Sequence, residues 1–81
     1  MRKKNIVGTR IKKARENAKP PITQKDLVAR LQFHRVKIDQ SAISKIESGE
    51  RPVSDIEVKA IAKALKVSVA WLIEGDKAIQ K

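Results

Sequence analysis

Between Asp39 and Gly49 the chain reads DQSAISKIESG. A helix through this stretch would place Gln40 and Ser41 in its first turn, with Ser44 and Lys45 one turn later on the same side. Ile43 and Ile46 would face the opposite way. One side therefore offers an amide, two hydroxyls and an ammonium. A glutamine amide can bond N6 and N7 of adenine together, a lysine can reach O6 and N7 of guanine, and a serine hydroxyl serves a donor or an acceptor. The major groove admits a helix, and a helix N-terminus adds favourable partial charge toward phosphate. The same four side chains also fit an ordinary solvated helix face, and their types alone leave both possibilities open.

Other chemistries find less support. Catalysis needs titratable groups converging on a pocket, whereas Asp26, Asp39, Glu47, Asp55 and Glu57 fall mostly at helix beginnings, where caps and the helix dipole account for them. The three glycines stand singly, so no phosphate-cradling loop is present. Without cysteine there are no disulfides or thiolate metal sites, and the lone histidine, His34, has no second ligand at metal spacing. Neither enzymatic activity nor a cofactor or metal is expected. With only Phe33 and Trp71 as aromatics, stacking platforms for single strands are disfavoured. No apolar run nears the roughly 20 residues of a membrane span, and MRKKNIVG lacks the apolar segment of a signal peptide. A soluble, cytoplasmic location is the expectation.

Charge adds a direction. Nineteen Lys and Arg oppose nine Asp and Glu, for a net charge of +10 and a pI near 10.3. Residues 1–20 hold eight bases and one acid, whereas residues 41–60 hold three bases and four acids. Such a field favours polyanions, because each phosphate neutralised releases condensed counterions. Nucleic acid is the first expectation; charge by itself also admits anionic lipid.

Positioning the reading face requires a scaffold, and the sequence is punctuated for helices throughout. Four times an apolar residue precedes a capping residue, with another apolar residue four places after the cap: Ile22-Thr23 with Leu27, Ile38-Asp39 with Ile43, Val53-Ser54 with Val58, and Val67-Ser68 with Leu72. Each fits a hydrophobic staple over an N-cap, and Glu57 completes a capping box with Ser54. Helices are predicted over about 4–17, 23–32, 40–48, 55–66 and 69–74. The first carries Val7, Ile11, Ala14 and Ala18 on one stripe and stops at the prolines of residues 19–21. Gly49 fits a left-handed stop for the third helix, and Gly75 stops the fifth. An all-α, compact five-helix bundle follows, as one domain over 4–75 with flexible ends at 1–3 and 76–81.

The segments TQKDLVARL and DQSAISKIESGERPVSDIEVKAIAKALKVSVAWLIEG closely resemble the phage-repressor (Cro/cI, XRE-type) helix-turn-helix family. The resemblance rests on Thr23-Gln24 with Leu27, on Gln40 to Gly49, on AKAL-V-S from Ala62 to Ser68, and on Trp71-Leu72, and it spans roughly residues 6–75. It implies a lambda-repressor-like fold in which the second and third helices form the helix-turn-helix. It implies that Gln40, Ser41, Ser44 and Lys45 read base edges of double-stranded DNA. Thr23 and Gln24 at the second helix's start, and Arg51 after the third, would meet phosphates. Arg15 and Glu47 match a structural ion pair of the family.

Two departures stand out. The link at residues 32–38, QFHRVKI, is longer than usual and lacks the common glycine, and NAKPPI lengthens the first link. Lys37 and Arg35 would add phosphate contacts from the enlarged loop, while Phe33 and His34 are expected to pack partially. Arg2, Lys3 and Lys4 are expected to form a mobile cationic tail, the alternative being an arm along the phosphates or in a minor groove. A transcriptional repressor binding a pseudo-palindromic operator as a homodimer is the expected function, with Val69, Ile73 and Ile79 as the dimer surface and dimerisation only on DNA as the alternative. A protein-interaction module, such as the antitoxin half of a toxin–antitoxin pair, is the alternative.

Overall fold

Small polar side chains decide where each helix begins. The computed structural model describes residues 3–78, which form α1 (Gly8–Asn17), α2 (Gln24–Phe33), α3 (Gln40–Ser48), α4 (Asp55–Leu65) and α5 (Val69–Glu74), followed by a 3-10 turn at Gly75–Ala78. Among the described residues there is no strand. Thr23, Asp39, Ser54 and Ser68 all cap, each side chain accepting from the backbone N–H three residues on. The box at Ser54 and Glu57 is closed. So is a second at Thr23, where Asp26 returns its carboxylate to the Thr23 N–H at 3.0 Å.

The staple residues all reach one core. Ile22, Leu27, Ile38, Ile43, Val58 and Leu72 are buried, with Val53 and Val67 packed against them. Ile11, Leu31, Ile46 and Ile61 complete the centre. Burying each such side chain contributes about 1.5–3 kcal/mol. Trp71 is half-buried at the core's edge. α3 packs on α1 and α2, while α4 supports α1 and α2 from behind.

Two boundaries hold features that spacing did not show. α1 starts at Gly8 rather than near residue 4, because Asn5 intervenes: its Oδ1 accepts from the N–H groups of Val7 and Gly8 at 3.0 and 2.7 Å. α2 closes without glycine. Arg35 adopts the left-handed conformation (φ 64°), its N–H bonds the Gln32 carbonyl, and the Val36 N–H bonds the Leu31 carbonyl. This is a Schellman closure with arginine where glycine is usual. Beyond it, Val36 and Ile38 turn inward while Arg35 and Lys37 stay exposed, so the long link is anchored at alternate residues.

Both ends of the described segment make further bonds. Past α5 the chain turns at Gly75 into the 3-10 segment, and Trp71 Nε1 donates to Asp76 Oδ1 at 3.3 Å. Arg10 closes α5 from below, its guanidinium donating to the carbonyls of Leu72 and Ile73 at 3.1 and 3.2 Å. At the start, the Lys4 N–H donates to the Gly49 carbonyl at 2.8 Å. The expectations for Arg2, Ile79 and the last residues lie outside the described residues.

Candidate nucleic-acid interface

α3 is held by its apolar side and by its cap. Asp39 Oδ1 accepts from the Ala42 N–H at 2.8 Å, Ile43 and Ile46 are buried, and Gly49 ends the helix at φ 83°. Gln40, Ser41, Ser44 and Lys45 are exposed together on the other side. They line a shallow depression with Gln24 from the start of α2 and with Glu50.

Behind this face runs a continuous set of polar bonds. Arg15 on α1 meets Glu47 on α3 through Nε–Oε2 and Nη2–Oε1, both 2.9 Å. Arg15 also donates through Nη1 to the Ile22 carbonyl at 3.1 Å, while the Ile22 N–H returns to the Arg15 carbonyl at 2.9 Å. The guanidinium thereby ties down the lengthened link ahead of α2. Its pKa is raised, chiefly by the hydrogen bond to Glu47. Gln24 Nε2 donates to Glu47 Oε1 at 3.1 Å, and Gln40 Nε2 reaches Gln24 Oε1 at 3.4 Å. An amide on the outer face is thus linked through Gln24 to a buried ion pair. Preorganisation of this kind lowers the entropy lost on binding.

The residues expected on phosphates divide. Thr23 and Lys37 are exposed, and Thr23 still has its hydroxyl proton to donate while its oxygen caps α2. Gln24 sits at the rim of the depression. Arg51 is different. Its guanidinium bonds both oxygens of Glu57, at 3.2 and 3.0 Å, and the Pro52 carbonyl at 3.0 Å. Its charge is thus already paired within the fold, unlike that of Lys37. Glu57, for its part, is held below the usual carboxylate range, first by Arg51 and then by the Ser54 N–H. Asp26 is lowered likewise by its bonds with Thr23.

Two features escaped sequence reasoning. Glu50 joins the reading face, with its Oε2 2.6 Å from Ser48 Oγ, which also lies 3.0 Å from the Lys45 carbonyl; the single hydroxyl proton serves one of them at a time. Its place just past the Gly49 stop gave no hint of which way it would turn. Phe33, expected to pack partially, is 84% exposed and meets His34 edge-on at 5.5 Å between ring centroids. Two places after the buried Leu31, it lies on the opposite face of α2.

Among the described residues no acidic, histidine or cysteine side chains group as a metal site, and no helix is long and apolar enough to cross a membrane. A family model described as helix-turn-helix matches residues 11–72. No curated protein and no solved structure matches the chain.

Proposed function

The chain belongs to the Cro/cI-type (XRE) helix-turn-helix family of DNA-binding regulators, and on that premise we propose that it is a repressor reading one double-stranded sequence with α3. One observation carries this reading above all. The side chains best suited to base edges, Gln40, Ser41, Ser44 and Lys45, stand together on the exposed face of a helix whose other face is buried. In the major groove Gln40 and Lys45 supply the bidentate base contacts, and the two serines adapt to donor or acceptor edges. Thr23, Gln24 and Lys37 contact phosphates on either side, and Arg51 adds the N–H groups that Glu57 and Pro52 leave over. Residues 4–75 constitute the DNA-binding domain.

One such helix reads only a few base pairs, too few to choose a site in a genome. A two-fold dimer on a pseudo-palindromic operator supplies the rest, with half-sites about one helical turn apart. An apolar depression lined by Ile6, Val53, Val58, Val69 and Ile73 supports this face as the contact between copies. Repression needs nothing further, because occupying a promoter excludes polymerase. Selecting bound duplexes from a random library tests all of this: one enriched, two-fold symmetric sequence is expected, and recovery of unselected DNA would reject base reading.

A second reading, a module that chiefly binds a protein such as the toxin of a toxin–antitoxin pair, is favoured by Phe33 and Ile56, exposed at 84% and 70%. Salt separates the two. Affinity for duplex DNA that falls with a log–log slope of about −0.9 per phosphate contact supports DNA binding. Absence of binding at low salt leaves the protein-binding module.

A further inference from the structure

The reading helix is aimed from its C-terminal end. Its N-terminal end follows the long 34–39 link, while its last turn and the stretch just past it are tied to residues ahead of α1 at three carbonyls. Asn5 Nδ2 donates to the carbonyls of Ile46 and Arg51 at 3.0 and 2.8 Å, and the Lys4 N–H takes Gly49. On its other side the same carboxamide accepts from Val7 and Gly8. With two carbonyls facing one end and two N–H groups facing the other, the orientation of this amide is determined by its neighbours. Gly8 closes the joint: a Cβ there would overlap the Ile46 carbonyl oxygen. The backbone of α1 therefore lies too close to α3 at this point for a side chain to fit between them.

We propose that Asn5, with Gly8 as its seat, is a positioning residue that sets the angle of α3 in the major groove; this rests on the DNA-reading function proposed above. Nine residues span roughly 12 Å from first to last Cα, so a tilt of about 5° about the Asp39 cap moves the far end by about 1 Å. That displacement takes a hydrogen bond from good geometry to none. Lys45, on the far half, moves most, and Gln40, beside the cap, moves least. Asn5 thus governs the base pairs read by Lys45 more than those read by Gln40.

Asn5→Ser separates this role from simple support. A serine oxygen can still cap α1 but is too short to bridge to Ile46 and Arg51, and it leaves the charge unchanged. The measurements are the unfolding midpoint, the affinity ratio of the selected site to random duplex, and base preference position by position. A folded Asn5→Ser protein is expected to lose about tenfold in that ratio. Preference should weaken at the positions lost in Lys45→Ala and persist at those lost in Gln40→Ala. If the serine variant does not fold, Asn5→Asp, whose carboxylate caps α1 while repelling the two carbonyls, is expected to give the same pattern. An unchanged ratio, or equal loss on selected and random DNA, overturns the positioning role alone. Wild-type protein without any base preference overturns the DNA reading itself.

Discussion

Arg15 in α1 and Glu47 in α3 face each other through two parallel bonds of 2.9 Å, with side chains only 11% and 5% exposed. Removing either partner leaves the other charge nearly dry. Arg15→Met or Glu47→Leu alone should destabilise by about 3 kcal/mol, whereas the double variant should lie closer to wild type than either single one. Denaturant unfolding of the cycle measures this, and strictly additive losses would show that the pair is uncoupled.

Base reading predicts a contrast between targets. Gln40→Ala and Lys45→Ala should each cost about 1–3 kcal/mol on the selected site. Random duplex should feel Gln40→Ala hardly at all. Fluorescence anisotropy on the two duplexes is sufficient, and equal losses on both would mean that neither side chain reads a base.

Salt dependence distinguishes an open cation from a neutralised one. Lys37→Ala should flatten the log–log salt slope by about 0.9, the share of one phosphate contact. Arg51→Ala should change it less, because Arg51 is already bound to Glu57. Equal changes for the two would show that the Arg51–Glu57 pair opens on DNA.

Acid should expose the caps. Glu57 and Asp26 are both held below their ordinary values, so the unfolded chain binds more protons than the folded one as pH falls through that region. Their contribution is complete above the unfolded carboxylate range of about 4 and is lost as pH drops through the lowered folded values. Thermal midpoints should therefore decline below about pH 4, and Glu57→Gln should flatten that decline. An unchanged pH profile in the glutamine variant would place the acid sensitivity elsewhere.

The glycine-free link offers a stabilising change. Arg35 and Lys66 both sit at positive φ, 64° and 59°, where a side chain crowds its own carbonyl. Arg35→Gly should raise stability by about 0.5–1 kcal/mol, net of the extra freedom glycine gives the unfolded chain. A lower unfolding midpoint would show that the arginine side chain itself holds the turn.

Much of this molecule is legible in one dimension because helix starts, stops and buried stripes are local. The caps at Thr23, Asp39, Ser54 and Ser68 and the left-handed stop at Gly49 depend on residues within four places, and the apolar partner of each cap lies on the same turn. Helix order, the five-helix bundle and the outward face of α3 follow from these alone. What one helix does to another depends on distance in space, which spacing along the chain does not carry. Asn5 looked like a first-turn residue of α1, yet it serves carbonyls 41 and 46 residues away. Arg51 looked free beside the groove, but the capping box that draws Glu57 to Ser54 also sets its carboxylate against the guanidinium. Phe33 looked apolar enough to pack, but it stands opposite Leu31 on α2 and no neighbouring element covers that face. Local rules determined the elements. The aim of α3 and the fate of each cation were decided only by tertiary packing, because polar groups left unpaired at helix ends take whatever partner the fold brings within reach.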